Sequence, residues 1–268
     1  MQQPSVWLKR SVSIPQIELR RNGRTSTCYD LHTHTEYSLG LIDEGQAIYQ
    51  SGQVSHVIQV GDLVAINADE VHACNPSSMH WSYRMLFIEA AYLNELCAET
   101  TQSLRFAQAY WREPELTLAF NALFNGLVDD EPTLVIESQL ITYCAALWKQ
   151  PTQTAQVIEL AGLRRVKDLL QEQAQAAFRL QELSELAGLT AYQLVRHFKK
   201  AYGLPPHAFQ LDRRIQQAKS LLRQGASLSE IALELGFADQ AHFQRHFKRR
   251  LALTPKAYQQ HFLKAENL

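Results

Sequence analysis

Between residues 14 and 88 the apolar positions fall in short runs rather than at helical spacing. Segments 14–19, 27–31, 37–42, 47–50, 54–59, 63–67 and 82–88 are rich in Val, Ile, Tyr and Leu. Asn22-Gly23, Asp43-Glu44-Gly45, Ser51-Gly52 and Gly61-Asp62 punctuate them. Strands at this short, regular spacing predict an antiparallel sandwich or barrel. From Tyr92 onward the period lengthens to three and four residues. Segments 113–129 and 132–149 read as helices, with Pro114 and Pro132 placed as helix-starting prolines. Residues 150–156 are polar, contain Pro151 and interrupt the period, which marks a linker. Everything after Val157 reads as helix. The fold class is therefore α+β, with a β-barrel (about 14–90) and helices (about 92–149) in a domain of residues 1–150. An all-α domain of residues 157–268 follows.

The all-α part repeats itself. Leu194-x-x-His197-Phe198-Lys199-Lys200 recurs as Phe243-x-x-His246-Phe247-Lys248-Arg249, and Pro206-x-x-Phe209 recurs as Pro255-x-x-Tyr258. These matches lie 49 positions apart, whereas Leu183 to Ile231 and Gly188 to Gly236 lie 48 apart, so one residue has entered near Ala238. Two copies of one helical supersecondary unit are implied. In the first, Leu183, Leu186 and Ala187 form the inner stripe of a short helix. Gly188 permits a left-handed turn, Leu189 plugs the core, and Thr190 caps a second helix whose inner face is Leu194 and Phe198. Ile231, Leu235, Gly236, Phe237, Asp239, Phe243 and Phe247 play the same parts in the second. This is the helix-turn-helix pattern, at about 180–203 and 228–251, and its second helix lies in the DNA major groove.

Helical periodicity then picks out the side chains that face DNA. They are Ala191, Tyr192, Val195 and Arg196 in the first unit, and Gln240, Ala241, Gln244 and Arg245 in the second. Arginine can grip guanine O6 and N7 with two hydrogen bonds, and glutamine can do the same for adenine. Lys199, Lys200, Lys248, Arg249 and Arg250 come later on the helices and are expected at phosphates, which position without specifying. The alternative is an all-helical protein-interaction module with basic, solvated faces. Charge bears on the choice. The chain has 26 Lys/Arg and 27 Asp/Glu, but residues 157–268 hold 17 of the bases and only 10 of the acids, leaving 9 and 17 for residues 1–156. Only the second half is suited to nucleic acid.

Composition adds exclusions. With 46% apolar and 20% charged residues the chain reads as soluble and globular. Its longest apolar runs, 63–66 and 85–88, are too short for a bilayer, and no basic segment precedes an apolar core at the N-terminus, so a cytoplasmic protein is expected. Cys28, Cys74, Cys97 and Cys144 are dispersed without a C-x-x-C pair, which fits free thiols in a reducing compartment.

The stretch from Gly225 through Ser227-Leu-Ser-Glu230-Ile-Ala and Gly236-Phe-Ala-Asp239-Gln-Ala-His-Phe243-Gln-Arg-His-Phe247-Lys, closed by Thr254-Pro-Lys-Ala-Tyr258, resembles the signature of the AraC/XylS family of transcription regulators. The resemblance covers about the last hundred residues. It implies two helix-turn-helix units joined by a long helix over 206–223. Where the pattern usually has Gly before Thr-Pro this chain has Ala252-Leu253, and only a local loop difference is expected.

Residues 30–42, with Asp30, His32, His34 and Glu36, and residues 61–72, ending in His72, resemble the cupin-type effector domain of the same family. A small β-barrel holding one ligand is implied. His32 and His34 are two apart on a strand, so they point to the same face, and His72 closes the second motif. Three converging imidazoles could bind Zn, Fe, Mn or Ni. Catalytic cupins, however, place a glutamate three to five residues past the second histidine, where this chain has Tyr37, Ser38 and Leu39. Neutral histidines that hydrogen-bond an effector, or purely structural ones, are the alternatives, and no cofactor is required. Tyr37, Tyr49, Trp81 and Tyr83 are candidate pocket walls. Trp81, Tyr83 and Met85 share a face, which the pattern does not orient.

The expected protein is a non-enzymatic, effector-controlled, sequence-specific DNA-binding regulator, with effector contacts from His32, His34, Tyr37, His72, Trp81 and Tyr83. Its expected partners are double-stranded DNA, a small molecule, a second copy paired through the helices of 92–149, and RNA polymerase. Two rivals stand beside it: a cupin metalloenzyme with an appended DNA-binding module, and an effector-independent dimeric DNA binder.

Overall fold

A computed structural model describes residues 6–52, 54–97, 105–106, 108–147 and 161–263. The predicted linker, residues 150–156, lies outside the described residues. The chain divides into two compact units: Met1–Cys28 with Thr33–Gln153, and Tyr29–His32 with Thr154–Asn267.

Among its described residues the first unit has nine strands, β1 (Val6–Arg10), β2 (Ile17–Thr25), β3 (Glu36–Glu44), β4 (Gln46–Ser51), β5 (Val54–Gln59), β6 (Leu63–Ile66), β7 (His72–Pro76), β8 (Trp81–Glu89) and β9 (Tyr110–Trp111). Three helices, α1 (Ala90–Leu96), α2 (Pro114–Val128) and α3 (Thr133–Leu147), complete it. The strands form a six-stranded sheet, ordered β1-β2-β8-β3-β6-β9, and a three-stranded one, ordered β5-β4-β7. Strand alternation sorts the large sheet into two faces. Ile17, Leu19, Tyr37, Leu39, Leu41, Leu86 and Ile88 pack with Phe120, Phe124, Leu127, Ile136, Leu140 and Cys144 of α2 and α3. The opposite face carries Glu18, Arg20, Asn22, Ser38, Trp81 and Tyr83, all buried. It looks toward the three-stranded sheet, because His34 meets Phe87 of β8 at 5.6 Å and His72 of β7 at 4.6 Å between ring centroids.

Several boundaries differ from expectation. Asn22-Gly23 is no turn: β2 runs through it to Thr25, with a shift of register against β8 between Asn22 and Thr25. A bulge absorbs the irregularity that reads locally as a turn signal. Residues 27–31 form no strand, and Tyr29–His32 groups with the second unit. β1, β7 and β9 were not anticipated, since β7 is polar at His72 and Asn75 and β9 has two residues.

The second unit is α4 (Ala161–Glu172), α5 (Leu180–Ala187), α6 (Ala191–Tyr202), α7 (Pro206–Arg223), α8 (Leu228–Glu234), α9 (Gln240–Leu251) and α10 (Pro255–Leu263). The long α7 joins the two repeated units as expected, burying Phe209, Ile215, Ala218 and Leu222. Ala252 closes α9 in the left-handed conformation, φ 56°, at the position where the first copy has Gly203, φ 77°. A Cβ there costs about 1 kcal/mol or more. Ala252→Gly is therefore expected to raise stability by about 0.5–1 kcal/mol, the larger entropy of the unfolded glycine chain offsetting part of the relief. Thermal unfolding checks this, and an unchanged or lower midpoint would show that the cap stores no strain.

Candidate nucleic-acid interface and barrel site

Each helix-turn-helix unit is assembled by the same local devices. In the first, Gly188 ends α5 at φ 67°, and the Leu189 amide donates to the Ser184 carbonyl at 3.0 Å. Thr190 Oγ1 accepts from the Gln193 amide at 3.3 Å, while Gln193 Oε1 accepts from the Thr190 amide at 3.0 Å, a reciprocal cap on α6. In the second, Ser227 and Glu230 cap α8, Gly236 turns at φ 69°, and Asp239 Oδ1 accepts from the His242 amide at 2.6 Å. The turn is one residue longer here, Gly236 to Asp239 against Gly188 to Thr190, as the shift of repeat offset implied.

With Leu194, Phe198, Phe243 and Phe247 in the core, the opposite faces of α6 and α9 are displayed. Ala191, Tyr192, Arg196, Lys199 and Lys200 are exposed on α6, and Gln240, Ala241, Arg245, Lys248 and Arg249 on α9. Val195 and Gln244 are half-buried. Arg249 is exposed but already engaged: its Nε lies 2.9 Å from Asp30, whose amide donates to the Arg249 carbonyl at 3.1 Å, and Asp30 belongs to the same unit.

Arg250 corrects the expectation. It is 5% exposed, and its Nε sits 3.5 Å from Asp212 of α7, with Nη1 3.4 Å from the His246 carbonyl. The reason is periodic: positions 243, 247 and 250 form one helical stripe, so this guanidinium joins the inner face and is held by a buried carboxylate rather than by phosphate. His246 is pushed down to about 4 by partial burial and then by Arg250, His242, Arg249 and Arg245. An unfolded histidine takes its proton near pH 6.5. The unfolded chain therefore binds more protons between those values, and stability should fall as pH drops from about 6.5 toward 4. His246→Gln should flatten that part of the profile. An unchanged slope would place its origin elsewhere.

In the barrel, His34 and His72 are 5% and 4% exposed. His34 Nδ1 lies 2.7 Å from the Glu36 carbonyl and His72 Nδ1 2.9 Å from the Glu70 carbonyl, so each Nδ1–H donates. That leaves Nε2 of His34 to accept from the Ser38 hydroxyl at 3.1 Å. Trp81 and Tyr83 lie 4.4 Å apart on the same inner face. The Tyr83 hydroxyl accepts from Asn22 Nδ2 at 3.2 Å, and the Arg20 guanidinium stands 5.9 Å from the Tyr83 ring. The Trp81 indole nitrogen is buried without a hydrogen-bond partner. Tyr49 is buried, its hydroxyl donating to Glu70 at 3.0 Å.

Two expected ligand contacts are not in this interior. Tyr37 faces the helices: it is one position from Glu36 and Ser38 and so on the other side of β3, its hydroxyl donating to Asn94 at 3.1 Å and its ring edge-on to Phe106. His32 sits in the short segment of the second unit, with Nδ1 2.8 Å from the Asp30 carbonyl and its ring stacked on Tyr29. Residues 32–35 precede the strand instead of lying on it, so alternation cannot align His32 with His34. Among the described residues no three His, Cys, Asp or Glu side chains are grouped to hold a metal ion. Sequence reasoning missed Glu18, Arg20, Asn22 and Ser38. The signal for the first three was weak: Glu18 and Arg20 alternate with Ile17 and Leu19, but Arg21 breaks the pattern before Asn22, and the strand was ended at Leu19.

Comparison with known proteins agrees with both halves. An AraC-like ligand binding domain matches residues 14–142, and a helix-turn-helix domain matches residues 183–261. An uncharacterized HTH-type transcriptional regulator of Bacillus subtilis, YbfI, is 30% identical over 219 residues, 79% of this chain and 80% of that protein. The transcriptional regulator MtrA of Neisseria gonorrhoeae is 32% identical over 111 residues, 38% of this chain and 37% of its own. Among solved structures, ToxT of Vibrio cholerae O395 superposes with a TM-score of 0.61 at 14% identity, covering 93% of this chain and 99% of that one. ToxT of Vibrio cholerae with bound unsaturated fatty acid gives 0.60 at 14%, covering 97% of each. At such identity the superposition shows shared fold.

Proposed function

From the premise that the chain belongs to the AraC family of HTH-type transcriptional regulators, we propose how its two units divide the work. The protein is a DNA-binding transcription regulator controlled by a small-molecule effector of its N-terminal domain. In our reading α6 and α9 enter the major groove. Arg196 and Arg245 read base edges with Tyr192, Gln240 and Gln244, and Ala191, Val195 and Ala241 make close apolar contact. Lys199, Lys200, Lys248 and Arg249 engage phosphates, Arg249 exchanging Asp30 for the backbone. The observation that carries this reading is the duplication: one turn-and-cap device built twice, each time displaying an arginine one turn into the second helix.

The effector site is the polar inner face of the barrel, with His34, His72, Trp81 and Tyr83 beside Arg20, Asn22 and Ser38. Buried donors and acceptors of this density offer a small polar molecule several groups to hydrogen-bond, beside the Trp81–Tyr83 ring pair. His34 and His72 act there as neutral hydrogen-bonding groups, and no metal or catalysis enters. A second copy pairs through the outward faces of α2 and α3, where Leu118, Leu134 and Ile141 are 69%, 76% and 41% exposed. RNA polymerase is the partner through which bound protein acts, in the cytoplasm, and no helix of the described residues is long and apolar enough to cross a membrane.

The test is a DNA titration repeated across a panel of small polar metabolites. One of them should change the affinity for the specific site by about 5–150-fold, and Trp81→Ala should abolish that change while basal DNA binding persists. Equal affinity across the panel would favour an effector-independent dimeric binder. Stoichiometric bound metal with turnover would favour the enzyme.

A further inference from the structure

The two helix-turn-helix units meet at a seam bridged by an arginine. On one side α4 packs against α5, α6 and α7; on the other, α8 and α10 pack on α7, and α9 packs on α8 and α10. Arg214, on α7, reaches into both groups. Its Nε donates to the Ala174 carbonyl at 2.6 Å, and its Nη2 to the Ala176 and Gln175 carbonyls at 3.1 and 3.4 Å. All three acceptors lie in the segment that follows α4. Its Nη1 donates to the Gly236 carbonyl at 2.5 Å, in the turn that leads into α9. Gln210, one turn earlier on α7, adds a bond to the Ala176 carbonyl at 2.7 Å.

A guanidinium suits this place because its donors leave a rigid plane in fixed directions, so the bonds set angle as well as distance. The carbonyls beyond α4 also lie at the negative end of that helix, where a cation is favoured. The seam is tight: a Cβ on Gly236 would stand 2.4 Å from the Gln175 carbonyl oxygen. The Phe237 ring lies 5.9 Å from the same guanidinium and continues the contact toward α9. At its far end α9 is tied to α7 again, with Arg250 Nε 3.5 Å from Asp212. The repeat supplies a contrast. Arg164-Arg165-Val166 recurs 49 positions later as Arg213-Arg214-Ile215. Arg165, however, donates to the Leu186 carbonyl of α5 at 3.0 Å, within its own group, whereas Arg214 crosses the seam.

Resting on the reading of α6 and α9 as the helices that enter DNA, we propose that Arg214 is a positioning residue for DNA recognition. By joining the segment after α4 to the turn before α9, it fixes the separation and angle of the two reading helices. It thereby selects the spacing between the two base sequences that they read. Reading helices in successive major grooves stand about 34 Å apart. One base pair added between the subsites moves the second by about 3.4 Å and turns it by about 35° around the duplex axis. A locked seam cannot follow that displacement, and a loosened one can. Arg214 acts here through α9, as the supporting shell that holds a reading constellation in place.

The full-length protein first selects its preferred duplex from a random library. Its affinity is then measured for that duplex and for versions with one base pair inserted or removed between the two subsites. The wild type should bind the altered spacings at least about 10-fold more weakly. Arg214→Met should bring that ratio close to one, while the base preferences beneath α6 and α9 persist. Arg214→Lys, which keeps the charge but not the planar fork, should fall between them. A role in stability alone would weaken every duplex alike and leave the ratio where it was. Thermal unfolding reports the folded fraction of each variant, and Arg214→Lys carries the comparison if Arg214→Met does not fold. A folded variant with undiminished spacing preference would overturn the proposal, as would a wild type indifferent to spacing. A wild type that selects no sequence would remove the reading of α6 and α9, and this proposal with it.

Discussion

Gly236→Ala is expected to destabilise the C-terminal unit by roughly 2–4 kcal/mol and to abolish DNA binding at physiological temperature. Two costs add. The residue is held at φ 69°, where a Cβ costs about 1–2 kcal/mol. The new methyl would also be driven into the backbone carbonyl of Gln175, which cannot swing aside as the end of a flexible side chain could. Gly188 provides the internal control. It has the same left-handed conformation, φ 67°, but open space around its missing side chain. Gly188→Ala should therefore cost only the conformational part, about 1 kcal/mol. Denaturant unfolding of both variants separates the two, and equal losses would mean that the Gln175 contact is not what makes Gly236 indispensable.

Arg245→Ala and Arg196→Ala should each weaken specific DNA binding by about 1–3 kcal/mol, roughly 5–150-fold, with little effect on folding. Both side chains are exposed on the outer faces of their helices, so truncation removes no core packing. The loss should be selective: each variant should tolerate base changes at the position its arginine reads and remain discriminating elsewhere. Lys248→Ala and Lys199→Ala should behave differently, weakening all sequences alike and reducing the salt dependence by about one phosphate contact. Competition titrations with single-base variants of the site distinguish these patterns. Arginine variants that lose specific and random DNA equally would place Arg196 and Arg245 at phosphates.

The helical half was legible because its signals are local. A glycine turn, a capping side chain and an i, i+4 apolar pair occur twice, and the extra residue in the second turn was visible in the repeat offsets. Arg250 escaped because charge was read before position. The same i+7 count from Phe243 that identifies the inner stripe would have placed it inside, and its counterpart in the first copy, Ala201, needs no buried carboxylate.

The barrel was harder because its partners are distant in sequence. Whether Trp81 and Tyr83 face ligand or helices depends on pairing with β2, whose bulge hides behind Asn22-Gly23. Tyr37 was assigned to the wrong face for a related reason: its strand alternates as predicted, but only the packing of α2 and α3 on one side decides which face is which. His32 looked like a partner of His34 because they are two positions apart. That inference requires a strand, and the chain is extended only from Glu36 onward.

The most direct test is a titration of the purified protein against the DNA upstream of its own and neighbouring genes, over a salt series, with random DNA as competitor. Saturable binding to one site, preferred over random sequence and weakening steeply with salt, is the expected result, and the double variant Arg196→Ala/Arg245→Ala should lose the preference while retaining the weaker salt-dependent binding. Indistinguishable affinity for both DNAs at every salt, persisting across the metabolite panel, would contradict the assignment of α6 and α9 as reading helices.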